Sequence, residues 1–231
     1  NDLSLGDAKM EAGRNFVNKI WNATRFALRA TEEWRATPAG MLRQLPAPVR
    51  SEDRWILSRL NRLTVSVHGL MAEYQLGEAE RQIQEFLWSE FCDWYIELAK
   101  LRLRQTDSST GAPVSGGGEQ SPAPYLVYVL DAALRLLHPF MPFVTEELWQ
   151  TLQPGTGEAA LNQSIMISPL PEAHPEWNDP LAERVVGAAI DVVRALRNTR
   201  AERHVEPQRW LEASVYTSTT LIEDLRSLVP Q

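Results

Sequence analysis

Apolar residues near the start of the chain recur at the helical period. Phe16, Ile20, Ala23 and Ala27 stand at i, i+4, i+7 and i+11. The spacing predicts a first helix from Asp7 or Lys9 to about Ala30. One position earlier, Asn15, Lys19, Asn22 and Phe26 repeat the same interval and form a second stripe beside the first. That stripe carries two amides, an ammonium and an aromatic ring, where a solvated face ordinarily carries Glu–Lys pairs. Amides offer both donor and acceptor, and an exposed ring offers a stacking surface, which is the chemistry that reads unpaired bases. The alternative is an ordinary core edge with surface amides.

Residues 37–48 hold Pro38, Gly40, Pro46 and Pro48 and read as a linker. Ser51, followed by Glu52 and Asp53, is the expected N-cap of a second helix through Trp55, Ile56, Leu60, Leu63, Val67 and Leu70. A third, long helix begins near Gly77 and runs through Ala79, Ile83, Phe86, Leu87, Phe91, Trp94, Leu98 and Leu101. Lys100, Arg102 and Arg104 close it, where the helix dipole favours cations. Residues 105–124, rich in Ser, Gly, Thr and Pro, cannot bury enough apolar surface to offset ordering and are expected to be a flexible loop. A fourth helix starts near Ala123, and the prolines at 139 and 142 should end or kink it before 145–152 resumes helically.

Beyond Pro154 the pattern shifts. Residues 164–168 (SIMIS) and 211–216 (LEASVY) read as short strands. Between them a helix opens at Asp179 or Pro180, and 221–228 suits a short helix. The expected architecture is therefore mainly α: a helical bundle over 1–154 with the loop at 105–124, then a small, truncated α/β segment over 155–231.

Composition narrows the function. The 231 residues are 44% hydrophobic and 23% charged, ordinary for a soluble globular protein. A formal net charge of −7 argues against coating nucleic acid through bulk charge. Locally the balance reverses: between Ala8 and Ala30 stand Lys9, Arg14, Lys19, Arg25 and Arg29 against Glu11 alone. The single cysteine, Cys92, excludes an internal disulfide and reads as a buried, inert thiol. No apolar run approaches a membrane span and no signal-peptide pattern opens the chain, so no membrane partner and a cytoplasmic location are expected.

Sites contained within the chain have little support. There is no GxxxxGK[ST] loop, and the four histidines are scattered without metal-ligand spacing. Glu146 and Glu147 are adjacent, so a helix directs them apart. No catalytic residue, metal site or cofactor is expected here.

Four stretches in order resemble the C-terminal region of class I aminoacyl-tRNA synthetases of the valine, isoleucine and leucine group. They are RNFVNKIWNATRF at 14–26, WSEFCDWYIELAK at 88–100, HPFMPFVTEELW at 138–149 and RNTRAE at 197–202. NKIWNATRF, MPFVTEELW and SIMISPLPE resemble the valine branch, the valyl-tRNA synthetases, more than the other two. The resemblance implies a helical anticodon-binding domain that follows a catalytic domain in the same polypeptide. It also implies the anticodon stem-loop of tRNA(Val) as partner, and ATP and Mg2+ as requirements of the parent ligase. Neither HIGH nor KMSKS is present, and the opening NDLSLG has no initiator Met, so a piece without the catalytic and editing parts, inactive alone, is expected.

By the same resemblance, Lys19 and Phe26 match anticodon-contacting positions, with Asn15, Asn22 and Arg25 secondary on the same helix. A basic residue is expected upstream where Ala8 falls, and Lys9 is its substitute. Arg197, Arg200 and Arg203 either meet tRNA phosphate or cap helix carbonyls. Trp94, Tyr95, Phe143 and Trp149 are expected to pack inside the bundle.

Overall fold

The computed structural model describes residues 6–36, 45–103, 121–153 and 164–206, with 208–210, 212–214, 216–218 and 222 beyond them. Helix α1 spans Asp7–Ala30, and a single turn, α2, spans Glu32–Arg35. Helix α3 (Ser51–Ala72) is followed by α4 (Leu76–Glu85), a π-helical segment (Phe86–Tyr95) and α5 (Ile96–Leu103) in one continuous rod. Helices α6 (Ala123–Leu137) and α7 (Pro142–Leu152) form a corner, and α8 (Pro180–Glu202) closes the described structure.

The predicted apolar stripe of α1 is the buried one: Phe16, Ile20, Ala23 and Ala27 all enter the core. Helix α6 lies at the centre, with Leu126, Leu130 and Leu134 fully buried, each worth about 1.5–3 kcal/mol. Its corner with α7 falls where the prolines foretold, and the His138 ring meets Thr145 Oγ1 at 2.7 Å across it. Helix α8 lies along α3 and adds Ala182, Val186 and Ile190 to the same core.

Helix α3 is the hub, and its polar residues matter as much as its leucines. Asn61 donates to Asn178 Oδ1 (2.8 Å) and accepts the His174 N–H (2.6 Å). Ser58 accepts the Asp179 N–H at 3.0 Å and donates to Glu183 at 2.5 Å. Asp179 in turn caps α8 through the Ala182 N–H. These bonds seat the irregular stretch before α8 without a strand.

Several expectations are corrected. Residues 164–168 are not a strand but a 3₁₀ turn over Ile165–Ile167. Ser164 caps the Met166 N–H, while Glu146 of α7 takes the Ser164 hydroxyl (2.6 Å) and the Ile165 N–H. Only Ile165 is buried there, so a local cap and one apolar anchor outweigh alternation that has no partner strand. Residues 212–214 and 216 are irregular and exposed, and no strand occurs among the described residues. The segment expected to be α/β is thus described as 3₁₀ turns, irregular backbone and α8. Apart from Ile222, the expected helix at 221–228 lies outside the described residues, as do 105–120 of the expected loop. That loop stops short of Pro124, because Ala123 and Pro124 are already buried in α6. Ser51 is the first helical residue rather than the cap; Arg50 holds the cap position without a side-chain bond.

Candidate nucleic-acid interface

Because one stripe of α1 is committed to the core, its opposite face is open to solvent. Arg14, Asn18, Trp21, Asn22, Arg25 and Arg29 are exposed there, with Trp21 40% accessible. No acidic side chain follows Glu11 within the helix. The face therefore combines cations, amides and one indole. Arg14, Asn18, Trp21 and Arg25 themselves follow i, i+4, i+7 and i+11, the signal that would have found Trp21 and Asn18 from sequence.

Of the predicted residues, Asn15, Asn22 and Arg25 lie on this open side, and Lys9 is exposed near the start of α1. Lys19 and Phe26 sit at its boundary with the π-helical segment and α5. The Lys19 ammonium lies 2.5 Å from Asp93 Oδ1 and 3.9 Å from the Trp88 ring centroid, leaving its side chain 23% exposed. Trp88 also stacks on Phe16, with centroids 6.5 Å apart. Phe26 is half-buried against the core, and Lys100 places its ammonium 5.2 Å from the ring. Lys100 is itself paired with Glu97 at 2.6 Å.

The three distal arginines divide. The guanidinium of Arg197 lies 5.3 Å from the Trp94 ring, beside that of Arg194 at 5.7 Å. Arg200 donates to the Glu206 carbonyl at 2.6 Å, and Arg203 is exposed where α8 ends. Trp94 thus faces α8 while Lys100 of the same rod faces α1, so the rod separates these arginines from the α1 face.

Tyr95 and Trp149 pack internally as expected, and Trp94 is half-buried. Phe143 does not: it is 90% exposed. It occupies the first turn of α7, whose buried side is carried by Thr145, Leu148, Trp149 and Leu152.

Behind the rod lies a buried polar knot. Arg102 grips both oxygens of Asp53 (2.7 and 2.9 Å), and the Tyr95 hydroxyl donates to the same carboxylate at 2.7 Å. Arg102 was expected to serve the helix dipole; instead it neutralises a carboxylate from α3. Burial raises the Asp53 carboxyl above its ordinary range, with Arg102 and Tyr95 opposing. Burial pushes the Cys92 thiol up to about 12. Among the described residues no group of three His, Cys, Asp or Glu side chains could hold a metal, and no helix is long and apolar enough to cross a membrane.

Residues 53–215 match the family model of the anticodon-binding domain of tRNA ligases. The chain belongs to this family. It is similar to the valine–tRNA ligase of Dehalococcoides mccartyi, 48% identical over 216 residues, covering 94% of this chain and 23% of that protein. The valine–tRNA ligases of Carboxydothermus hydrogenoformans and Geobacillus stearothermophilus are 39% and 40% identical, covering 94% and 90% of this chain and 23% and 22% of theirs. The chain therefore spans less than a quarter of the length of these relatives. Helix α1 precedes the span matched by the anticodon-binding model and packs on the π-helical segment, α6 and α7 within that span.

Proposed function

We propose that the chain is the anticodon-recognising part of a valine–tRNA ligase and that the open face of α1 meets the anticodon loop of tRNA(Val). The observation that carries this reading is the face itself: Trp21 flanked by Arg14, Asn18, Asn22, Arg25 and Arg29, with Glu11 beside Arg14 at 3.9 Å and no carboxylate after it in the helix. Arginines bind phosphate, amides bind base edges, and an exposed ring stacks on a splayed base. Phe26 and Lys19 extend the surface onto the rod. Similarity to valine–tRNA ligases supports the valine assignment. Arg197 and Arg203 contribute backbone contacts from the far side of the rod, and Lys9 does so from the start of α1.

In this reading the parent enzyme joins valine to tRNA with ATP and Mg2+ in the cytoplasm, and the catalytic groups belong to a domain elsewhere in the same polypeptide. Phe143, Met166 and Ile167 are 90%, 76% and 78% exposed. They lie on α7 and on the turn that Glu146 holds to it. Exposed apolar side chains on α7 and on this turn support a docking surface for that domain.

The test is binding at low salt to tRNA(Val) and to the same tRNA with an altered anticodon. The altered tRNA is expected to bind more weakly, and Trp21→Ala or Phe26→Ala to cost about 1–3 kcal/mol, one base stack. Equal binding to both tRNAs, unaffected by either substitution, would sink the assignment.

A further inference from the structure

Two apolar stripes face each other across the gap between the rod and α8. Trp94, Leu98 and Leu101 stand at i, i+4 and i+7 on the rod, and Val186, Ala189, Ile190 and Val193 stand at i, i+3, i+4 and i+7 on α8. Facing stripes ordinarily interdigitate to the density of a crystal, but these enclose a cavity of about 180 Å3. Ala189 is the smallest side chain of the α8 wall, and Leu101 in the opposite wall remains 60% exposed. Atoms that line a void forfeit dispersion contacts on that side, so this cavity gains by taking an apolar group.

The charges around it are mostly positive. Arg50 and Arg102 line the cavity against one carboxylate, Glu52, which lies 3.3 Å from Arg102. The guanidiniums of Arg194 and Arg197 lie 5.7 and 5.3 Å from the Trp94 ring centroid. Arg194 meets Asp191 at 3.8 Å, whereas Arg197 has no carboxylate partner among the described residues. A guanidinium held beside a ring keeps N–H donors for the fork that a carboxylate fits.

We propose that the cleft between α8 and the rod is a binding site for a small aliphatic carboxylate. The chain enters between Trp94, Leu98 and Ala189, and the carboxylate meets Arg197, with Arg194 alongside. A helix, about 10 Å across, is too wide for a cavity of this size. An anion without a chain leaves the apolar walls uncovered. The rod separates this site from the α1 face, and the two readings share Arg197 alone, so the test contains no RNA and its failure leaves the tRNA reading untouched.

The intact protein is titrated with octanoate and followed by saturation-transfer NMR. Octan-1-ol carries the same chain without the charge, and acetate carries the charge without the chain. Octanoate is expected to bind about tenfold more tightly than octan-1-ol, as one charge-assisted contact provides. Hexanoate should bind about fifteenfold more weakly than octanoate, roughly fourfold for each methylene, and acetate should show no saturation. Arg197→Ala should remove the advantage of octanoate over octan-1-ol. Ala189→Trp fills the cavity and should abolish binding of both. Leu101→Glu places a carboxylate in the wall at an exposed position that folding tolerates, and should weaken octanoate more than octan-1-ol.

Far-ultraviolet circular dichroism matching that of the native protein qualifies each variant, and Leu101→Glu decides the matter if Ala189→Trp fails to fold. Equal affinity for octanoate and octan-1-ol, or an octanoate affinity that Arg197→Ala leaves unchanged, overturns the proposal because the charge is then not read. Octanoate binding that persists unaltered in the cavity variants overturns it by placing the ligand elsewhere, and so does an absence of octanoate binding.

Discussion

Asp53 shows how a single side chain links three elements. It is 1% exposed and collects Arg102 and Tyr95 from the rod onto α3. Asp53→Ala would leave Arg102 buried with Glu52, 3.3 Å away, as its remaining carboxylate partner in this knot. We expect destabilisation of about 3 kcal/mol, the lower end for a broken buried pair, measured by urea unfolding. Replacing Asp53 and Arg102 together with apolar residues should recover part of that loss. Cys92 makes the opposite point, since burial at 9% exposure holds its thiol protonated, up to about 12. Iodoacetamide at pH 8 should leave the native protein unmodified and label it only in denaturant. Rapid native labelling would contradict the packing of the π-helical segment around it.

At the scale of elements, the Ile165–Ile167 turn depends on α7 through one carboxylate. Burial raises the Glu146 carboxyl, but bonds from the Ser164 hydroxyl, the Gln150 amide and the Ile165 N–H outweigh it and hold the group below its ordinary range. A depressed carboxylate contributes stability above its unfolded value of about 4.3 and loses it as pH falls through the folded value. Thermal unfolding from pH 7 to pH 3 should therefore show Glu146→Gln less stable at neutral pH but less sensitive to acid. A slope matching that of the native protein would mean the latch carries no proton-linked stability. The π-helical winding of the rod is the second element-scale fact. Nothing in FLWSEFCDWY announces it, and the winding brings Trp88 and Asp93 to α1 while Phe91 and Tyr95 stack in the core 6.1 Å apart.

Over the whole molecule, charge is distributed against its total. The chain carries −7, yet α1 presents Arg14, Arg25 and Arg29 on one open face. Binding of a single-stranded loop should weaken steeply with salt, the logarithmic slope rising by about 0.7 for each phosphate neutralised. Arg25→Ala should reduce the slope by about one such increment, measured by titration between low and physiological salt. An unchanged slope would place the phosphate contacts elsewhere, with the arginines about Trp94 the first alternative.

Much of this was legible in the chain because it depends on local period and stereochemistry. The core stripe of α1, the helices over α3, α6 and α8 and the proline corner before α7 follow from side-chain spacing and from backbone groups that proline cannot supply. The resemblance in four stretches points to the anticodon-binding family without any geometry. Exposure within a stripe is another matter, because it depends on what packs alongside. The sequence alone set Lys19 and Phe26 with the two asparagines as one face, whereas the fold turns the first pair toward Asp93 and Lys100 and leaves Trp21 in the open. Phe143 looked like core and is surface. SIMIS looked like a strand and is a capped turn, because Glu146 lies within reach and no strand does. Residue type and period determine what a segment can form; only the tertiary arrangement decides which neighbour satisfies each charge and which ring stays uncovered, since those partners lie tens of residues away along the chain.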